Sequence, residues 1–160
     1  MQRHPALGLT IVLAIFYILL GNGHTTSGDG EAMLQVTRAL VERARLDLPE
    51  GALPAVEIIL LPTNDTTIPY TVEGQGGRTY AKYGLGQSLA ASPLYLLGIA
   101  LRDVTGVDQA PRTLALFLNA LVTAATAGLL VALARALRFS PRTALVLGVL
   151  FAVSTPAWVY

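Results

Sequence analysis

Three stretches of this chain contain no charged side chain: Pro5–Gly21, Thr113–Ala134 and Thr143–Tyr160. A helix rises about 1.5 Å per residue, so runs of this length reach roughly 25–33 Å, against a hydrocarbon core of about 30 Å. Such a run suits a bilayer or a deeply buried core, and the charge content decides between them. Only 13% of the residues are charged, where a soluble domain carries about 25%. Too little charge remains to cover a water-facing surface, so lipid is the expected solvent. The expected fold class is an all-α integral membrane protein: three transmembrane helices, plus amphipathic and juxtamembrane helices in a large first outer loop with minor β or irregular content.

On this basis the chain divides into transmembrane helix 1 (1–21), an extracytoplasmic loop (22–112), transmembrane helix 2 (113–134), a cytoplasmic link (135–142) and transmembrane helix 3 (143–160). Arg3 precedes the first run, and Arg135, Arg138 and Arg142 lie in the link with no acidic residue beside them. The positive-inside rule places both regions, and with them the N-terminus, in the cytoplasm, and the long loop outside. Trp158 and Tyr160 then fall at the outer interface, where amphipathic aromatics are favoured. Ser140-Pro141 predicts a capped start for the last helix, with proline at its first position. The first run has a competing reading as a signal peptide, with Arg3 and His4 as a basic leader and Gly21-Asn22-Gly23 at cleavage-like positions. Its length and the lack of an A-x-A site favour a retained helix.

One lysine against ten arginines, with abundant alanine and leucine, points to GC-rich bacterial coding and so to a bacterial inner (plasma) membrane. The absence of cysteine excludes disulfides, thiolate metal sites and a cysteine nucleophile. A formal net charge of +1 gives no reason to expect a nucleic-acid partner.

Within the loop, an amphipathic helix is expected over 30–46. Met33, Val36, Leu40 and Ala44 share one face, while Arg38, Glu42 and Arg45 fall largely on the other. Irregular or β structure is expected over 53–83, where Val56–Leu61, Thr67–Val72 and Arg78–Tyr83 are separated by PTNDT and EGQGG turn clusters. Asn64-Asp65-Thr66 is a formal glycosylation sequon and reads as a turn in a bacterial chain. A juxtamembrane helix is expected over 86–102, apolar but interrupted by Pro93 and Gly98.

Two groups carry possible chemistry. Asp29 and Glu31 follow the first apolar run closely, which places two carboxylates at the membrane surface. Asp29 can be a general base that takes the proton of an attacking hydroxyl, as in an inverting sugar transfer. It can equally be the N-cap of the amphipathic helix, with Glu31 favoured by the helix dipole. Arg78, Tyr80, Lys82 and Tyr83 form a basic and aromatic cluster. They can clamp a lipid phosphate, or they can be a snorkelling lysine and belt tyrosines. His24 reads as an exposed loop residue without a second histidine at ligand spacing. Asn119 reads as a helix–helix hydrogen-bonding group. No P-loop, H-E-x-x-H, G-x-S-x-G or C-x-x-C is present.

The succession LLGNGHTTSGDGE, MLQVTRALVERARLDL, GRTYAKYGLGQSLAASPLYLLG and FAVSTPAWVY resembles the N-terminal part of polytopic bacterial GT-C glycosyltransferases, the ArnT-like, protein-mannosyltransferase-like and RgtA-like group. TSGDGE and YAKYGLGQSL…PLYLLG carry most of the likeness. The resemblance implies a catalytic aspartate at the start of the first outer loop and a polyprenyl-phosphate sugar donor. In some members that aspartate also helps hold a divalent metal ion. Carried over by position, Asp29 is the base, Glu31 an acidic partner, and Lys82, with Arg78 beside it, the contact to the donor phosphate. Gly30 separates the two carboxylates where the family has them adjacent. The family continues through many further spans, so this chain is expected to be an N-terminal fragment, inactive in isolation. The expected function is transfer of a sugar from a polyprenyl-phosphate donor to an acceptor hydroxyl on the outer face. The alternative is a small non-enzymatic three-span protein, an anchor or assembly partner. A transporter gains no support, because the apolar runs carry no ionisable residue.

Overall fold

The computed structural model of the protein describes residues 5–21, 23, 25, 27–49 and 71–154. Their structure is mostly helical. Helices α1 (Pro5–Leu20) and α2 (Gly28–Arg43) are followed by strands β1 (Asp47–Leu48), β2 (Thr71–Glu73) and β3 (Thr79–Ala81), and then by helices α3 (Gly86–Thr105), α4 (Ala110–Ala136) and α5 (Pro141–Ser154). A helix therefore stands on each apolar run. Of these, α4 alone among the described helices is long and apolar enough to cross a membrane, at 27 residues, whereas α1 and α5 are shorter apolar helices. The expectation of three equivalent spans is thus reduced to one clear candidate. His24, Val56–Leu61, the Asn64 sequon, Trp158 and Tyr160 lie outside the described residues.

The chain separates into two compact units, one made of residues 1–22 and 117–160, the other of 23–116. In the first unit small residues make the helix contacts. Ala124, Ala127, Ala144 and Ala152 have no exposed surface. A methyl group added at Gly148 would meet Val131 Cγ2 at 2.6 Å and Leu9 Cδ2 at 2.8 Å. The Tyr17 hydroxyl donates to the Ala152 carbonyl at 2.8 Å and ties α1 to α5. Leu13, Tyr17 and Val131 are buried with them, but many other large side chains face outward: Leu19 is 79% exposed, and Ile15, Leu129, Leu133 and Leu150 are also exposed. Between α4 and α5 the chain turns at Arg138, whose φ is 65°. The Phe139 amide donates to Ala134 O, and Arg135 Nη1 donates to Phe139 O. Ser140 then caps α5, its Oγ accepting from the Thr143 amide at 3.1 Å, with Pro141 at the first helical position as its sequence predicts.

In the second unit α2 packs on α3 and on the sheet. The buried face of α2 includes Met33 and Val36 of the expected apolar face, together with Thr37 and Ala39, while Leu40 is partly buried, Ala44 is exposed, and Arg38 and Glu42 are exposed as expected. The helix covers 28–43 and not 30–46. Ala44 stops it by adopting a left-handed conformation (φ 51°), with Ala44 N–H donating to Leu40 O and Arg45 N–H to Ala39 O. Leu48 then packs with Val36 and Ala39 against Ala81. The sheet has the order β1-β3-β2 and is antiparallel throughout, with Asp47 opposite Tyr80 and Glu73 opposite Thr79. The EGQGG segment forms the β2–β3 turn, where Gly76 and Gly77 take φ of 74° and 69°, values that cost a side-chain-bearing residue dearly.

Helix α3 covers the expected 86–102 and continues to Thr105, unbroken through Pro93 and Gly98. Gly98 is instead a contact point. A Cβ there would lie 2.3 Å from Pro111 Cα, so the close approach to the start of α4 requires glycine. Hydroxyls join α2 to α3. Ser88 Oγ donates to Met33 O at 3.0 Å and Tyr95 O–H donates to Glu42 Oε1 at 2.7 Å, while Thr37 Oγ1, which donates to Met33 O within α2 at 2.8 Å, also lies 3.5 Å from Ser88 O.

Candidate functional site

The N-terminus of α2 presents both acidic candidates. Ser27 is the N-cap: its backbone is extended and its Oγ accepts from the Gly30 amide at 3.1 Å. This corrects the capping alternative for Asp29, which lies inside the first turn as an exposed residue. With the cap supplied by a neighbour, the Asp29 carboxylate is not consumed by the backbone. It accepts a hydrogen bond from the Tyr83 hydroxyl, in the bend that follows β3. Lys82 Nζ lies 5.4 Å from the centroid of the Tyr83 ring, a cation–π distance. The acidic turn and the basic-aromatic segment, 54 residues apart in sequence, therefore meet.

Glu31 does something different. Its Oε1 accepts from Gln35 Nε2 at 2.9 Å and Arg112 Nη1 at 3.1 Å, and its Oε2 accepts from Thr25 Oγ1 at 2.8 Å and Arg112 Nη2 at 2.7 Å. The side chain is 15% exposed. Burial opposes its ionisation, but the hydrogen bonds from Arg112, Gln35 and Thr25, with the field of Arg112, outweigh that and hold the carboxyl down at about 2. All four lone-pair directions are taken, so Glu31 is an anchor that stays ionised at neutral pH, with nothing to offer a reacting proton. Successive helix residues turn by about 100°, so Asp29 and Glu31 point away from each other.

No family model, curated protein or solved structure matches this chain.

The two proposed phosphate contacts also part company. Lys82 is exposed and adjoins the Asp29–Tyr83 pair. Arg78 is exposed at the start of β3, and its field acts on Asp47, whose carboxyl is held below its ordinary value first by the hydrogen bond from Arg45 and then by both arginines. Among the described residues no three histidine, cysteine or acidic side chains gather into a metal-ligand set, so Asp29 has no partner ligands there.

Arg112 and the pairing role of Tyr83 are absent from the sequence reading. A spacing signal existed only for Gln35, four residues after Glu31 and hence on the same helix face. Arg112 could have been suspected as a lone cation bordering an uncharged run, but nothing local names its partner.

Proposed function

We propose that this chain is membrane-embedded glycosyl-transfer machinery. In this reading α1, α4 and α5 span the bilayer, segment 22–112 lies on the outer face, and a polyprenyl-phosphate sugar is the donor. Asp29 accepts the proton of an acceptor hydroxyl while that oxygen bonds to the anomeric carbon. The bond from that carbon to the phosphate oxygen breaks, and polyprenyl phosphate leaves with its charge stabilised by Lys82 and, more remotely, Arg78.

The observation that carries this reading is the Asp29–Tyr83 contact with Lys82 beside it. A carboxylate oriented by a tyrosine hydroxyl through one oxygen keeps the other for a substrate, and a cation stands next to it. The membrane part is supported by the packing of the first unit. Burying alanine and glycine while exposing leucine, isoleucine and phenylalanine forfeits roughly 1.5–3 kcal/mol per large side chain in water but nothing in lipid.

The test is transfer of radiolabelled sugar from a polyprenyl-phosphate donor by membranes containing this segment joined to the further spans that the resemblance implies, with Asp29→Asn as the diagnostic variant. Expected is loss of transfer with membrane insertion retained. Transfer at the natural rate ends the base assignment, as does reaction of loop cysteines such as Asp108→Cys with an impermeant thiol reagent only from the cytoplasmic side. A non-enzymatic anchor or assembly partner is the second reading. It is favoured by the self-contained Glu31–Arg112 cluster, which has the character of an architectural joint, and it makes Asp29→Asn silent.

A further inference from the structure

Asp29 is flanked by Gly28 and Gly30 in the first turn of α2, and glycine is a poorer helix former than alanine. The Ser27 cap supplies a single side-chain hydrogen bond to this turn. Local sequence therefore determines the first turn of α2 weakly, yet the Asp29 carboxylate is placed well enough to receive the Tyr83 hydroxyl.

What compensates is one guanidinium that holds the chain on both sides of the turn. Arg112 Nη2 donates to Thr25 Oγ1 at 3.2 Å, ahead of the cap. Its two terminal nitrogens grip Glu31 in a bidentate pair, just past Gly30. Thr25 and Glu31 are themselves joined at 2.8 Å, so the ends of the segment 25–31 are tied to each other and to the first turn of α4. The pair is largely withdrawn from solvent, with side chains 30% and 15% exposed, where a bidentate contact has geometric force that a surface ion pair lacks.

We propose that Arg112 is a positioning residue for Asp29: by cinching Thr25 to Glu31 it fixes the glycine-flanked turn so that the Asp29 carboxylate meets Tyr83. Arg112 is not a catalytic residue, since it grips Glu31, which points away from Asp29. The catalytic consequence rests on the transferase reading, whereas the structural consequence does not.

The test uses the full chain in lipid nanodiscs with a fluorinated tyrosine in place of Tyr83, read by fluorine NMR. Asp29→Ala defines the resonance of a phenol that has lost its carboxylate. Arg112→Gln is expected to move the resonance toward that position although Asp29 and Tyr83 are both intact. Arg112→Lys, which keeps the charge but not the bidentate grip, is expected to move it part of the way. A resonance unmoved in Arg112→Gln overturns the proposal, and if that variant does not fold, an unmoved resonance in Arg112→Lys does so. In the transfer assay Arg112→Gln is expected to lower kcat by about 10–100-fold with KM nearly unchanged. A moved resonance in Arg112→Gln together with transfer at the natural rate by Asp29→Asn removes the base assignment and leaves the positioning role in place.

Discussion

Arg112 and Glu31 meet across 81 residues of chain through two hydrogen bonds, at 2.7 and 3.1 Å. The pair joins the first turn of α2 to the first turn of α4 inside the second unit. Thr25 and Gln35 complete the carboxylate's coordination, and Arg112, aided by both, outweighs the effect of burial and holds the Glu31 carboxyl down at about 2.

That difference sets an acid response. A folded-state value below the unfolded one means that ionised Glu31 stabilises the fold fully above pH 4.5, and that this contribution is lost as the pH falls through about 2. Thermal unfolding followed between pH 5 and pH 2 is expected to show a steeper decline in the natural chain than in Glu31→Gln. Parallel curves for the two proteins would contradict the depressed titration of Glu31.

Removing only one partner of the pair is also expected to be harmful. Arg112→Ala leaves a half-buried carboxylate with two hydrogen bonds missing, and is expected to cost about 2 kcal/mol. The Glu31→Gln/Arg112→Gln double variant leaves no uncompensated charge and is expected to lose less. Denaturation of the natural chain, Arg112→Ala and the double variant checks the ordering.

Tyr83 is expected to matter to chemistry more than to stability. It reaches Asp29 at an exposed edge, where one hydrogen bond contributes about 1 kcal/mol. Under the transferase reading Tyr83→Phe lowers transfer about 10-fold while the unfolding midpoint moves little. A variant with full transfer removes Tyr83 from the site.

Gly98→Ala is expected to destabilise the second unit by about 2 kcal/mol or more, because the added methyl meets backbone at Pro111 that cannot swing aside. Gly86→Ala is the control: open space surrounds its Cβ position, and alanine is the better helix former. The two variants should shift the unfolding midpoint in opposite directions.

Ala44 ends α2 at a φ of 51°, a conformation that suits glycine. Ala44→Gly is expected to raise stability by about 0.5 kcal/mol, the relief of strain exceeding the added freedom of the unfolded chain. A lowered unfolding midpoint would show that the turn is not strained.

Much of this protein's secondary structure could be read from its amino acids in order. Uncharged runs mark α1, α4 and α5, the 3.6-residue alternation marks α2, the glycine cluster at 74–77 marks a hairpin turn, and Ser140-Pro141 marks a helix start. These signals are local, since they depend on side-chain type and on spacing within a few turns. The site depends on which distant groups come to face one another, and that was not local. Ser27 displaced Asp29 as the cap because hydrogen-bond geometry at the first turn selects among several capable residues. Gly98 stands in α3 because that helix crosses close to Pro111, a demand no local pattern states. The rotation of α2 on α3 turned one carboxylate toward Tyr83 and the other toward Arg112. Only tertiary packing sets that rotation, so only the folded chain could separate the buried anchor Glu31 from the exposed carboxylate Asp29.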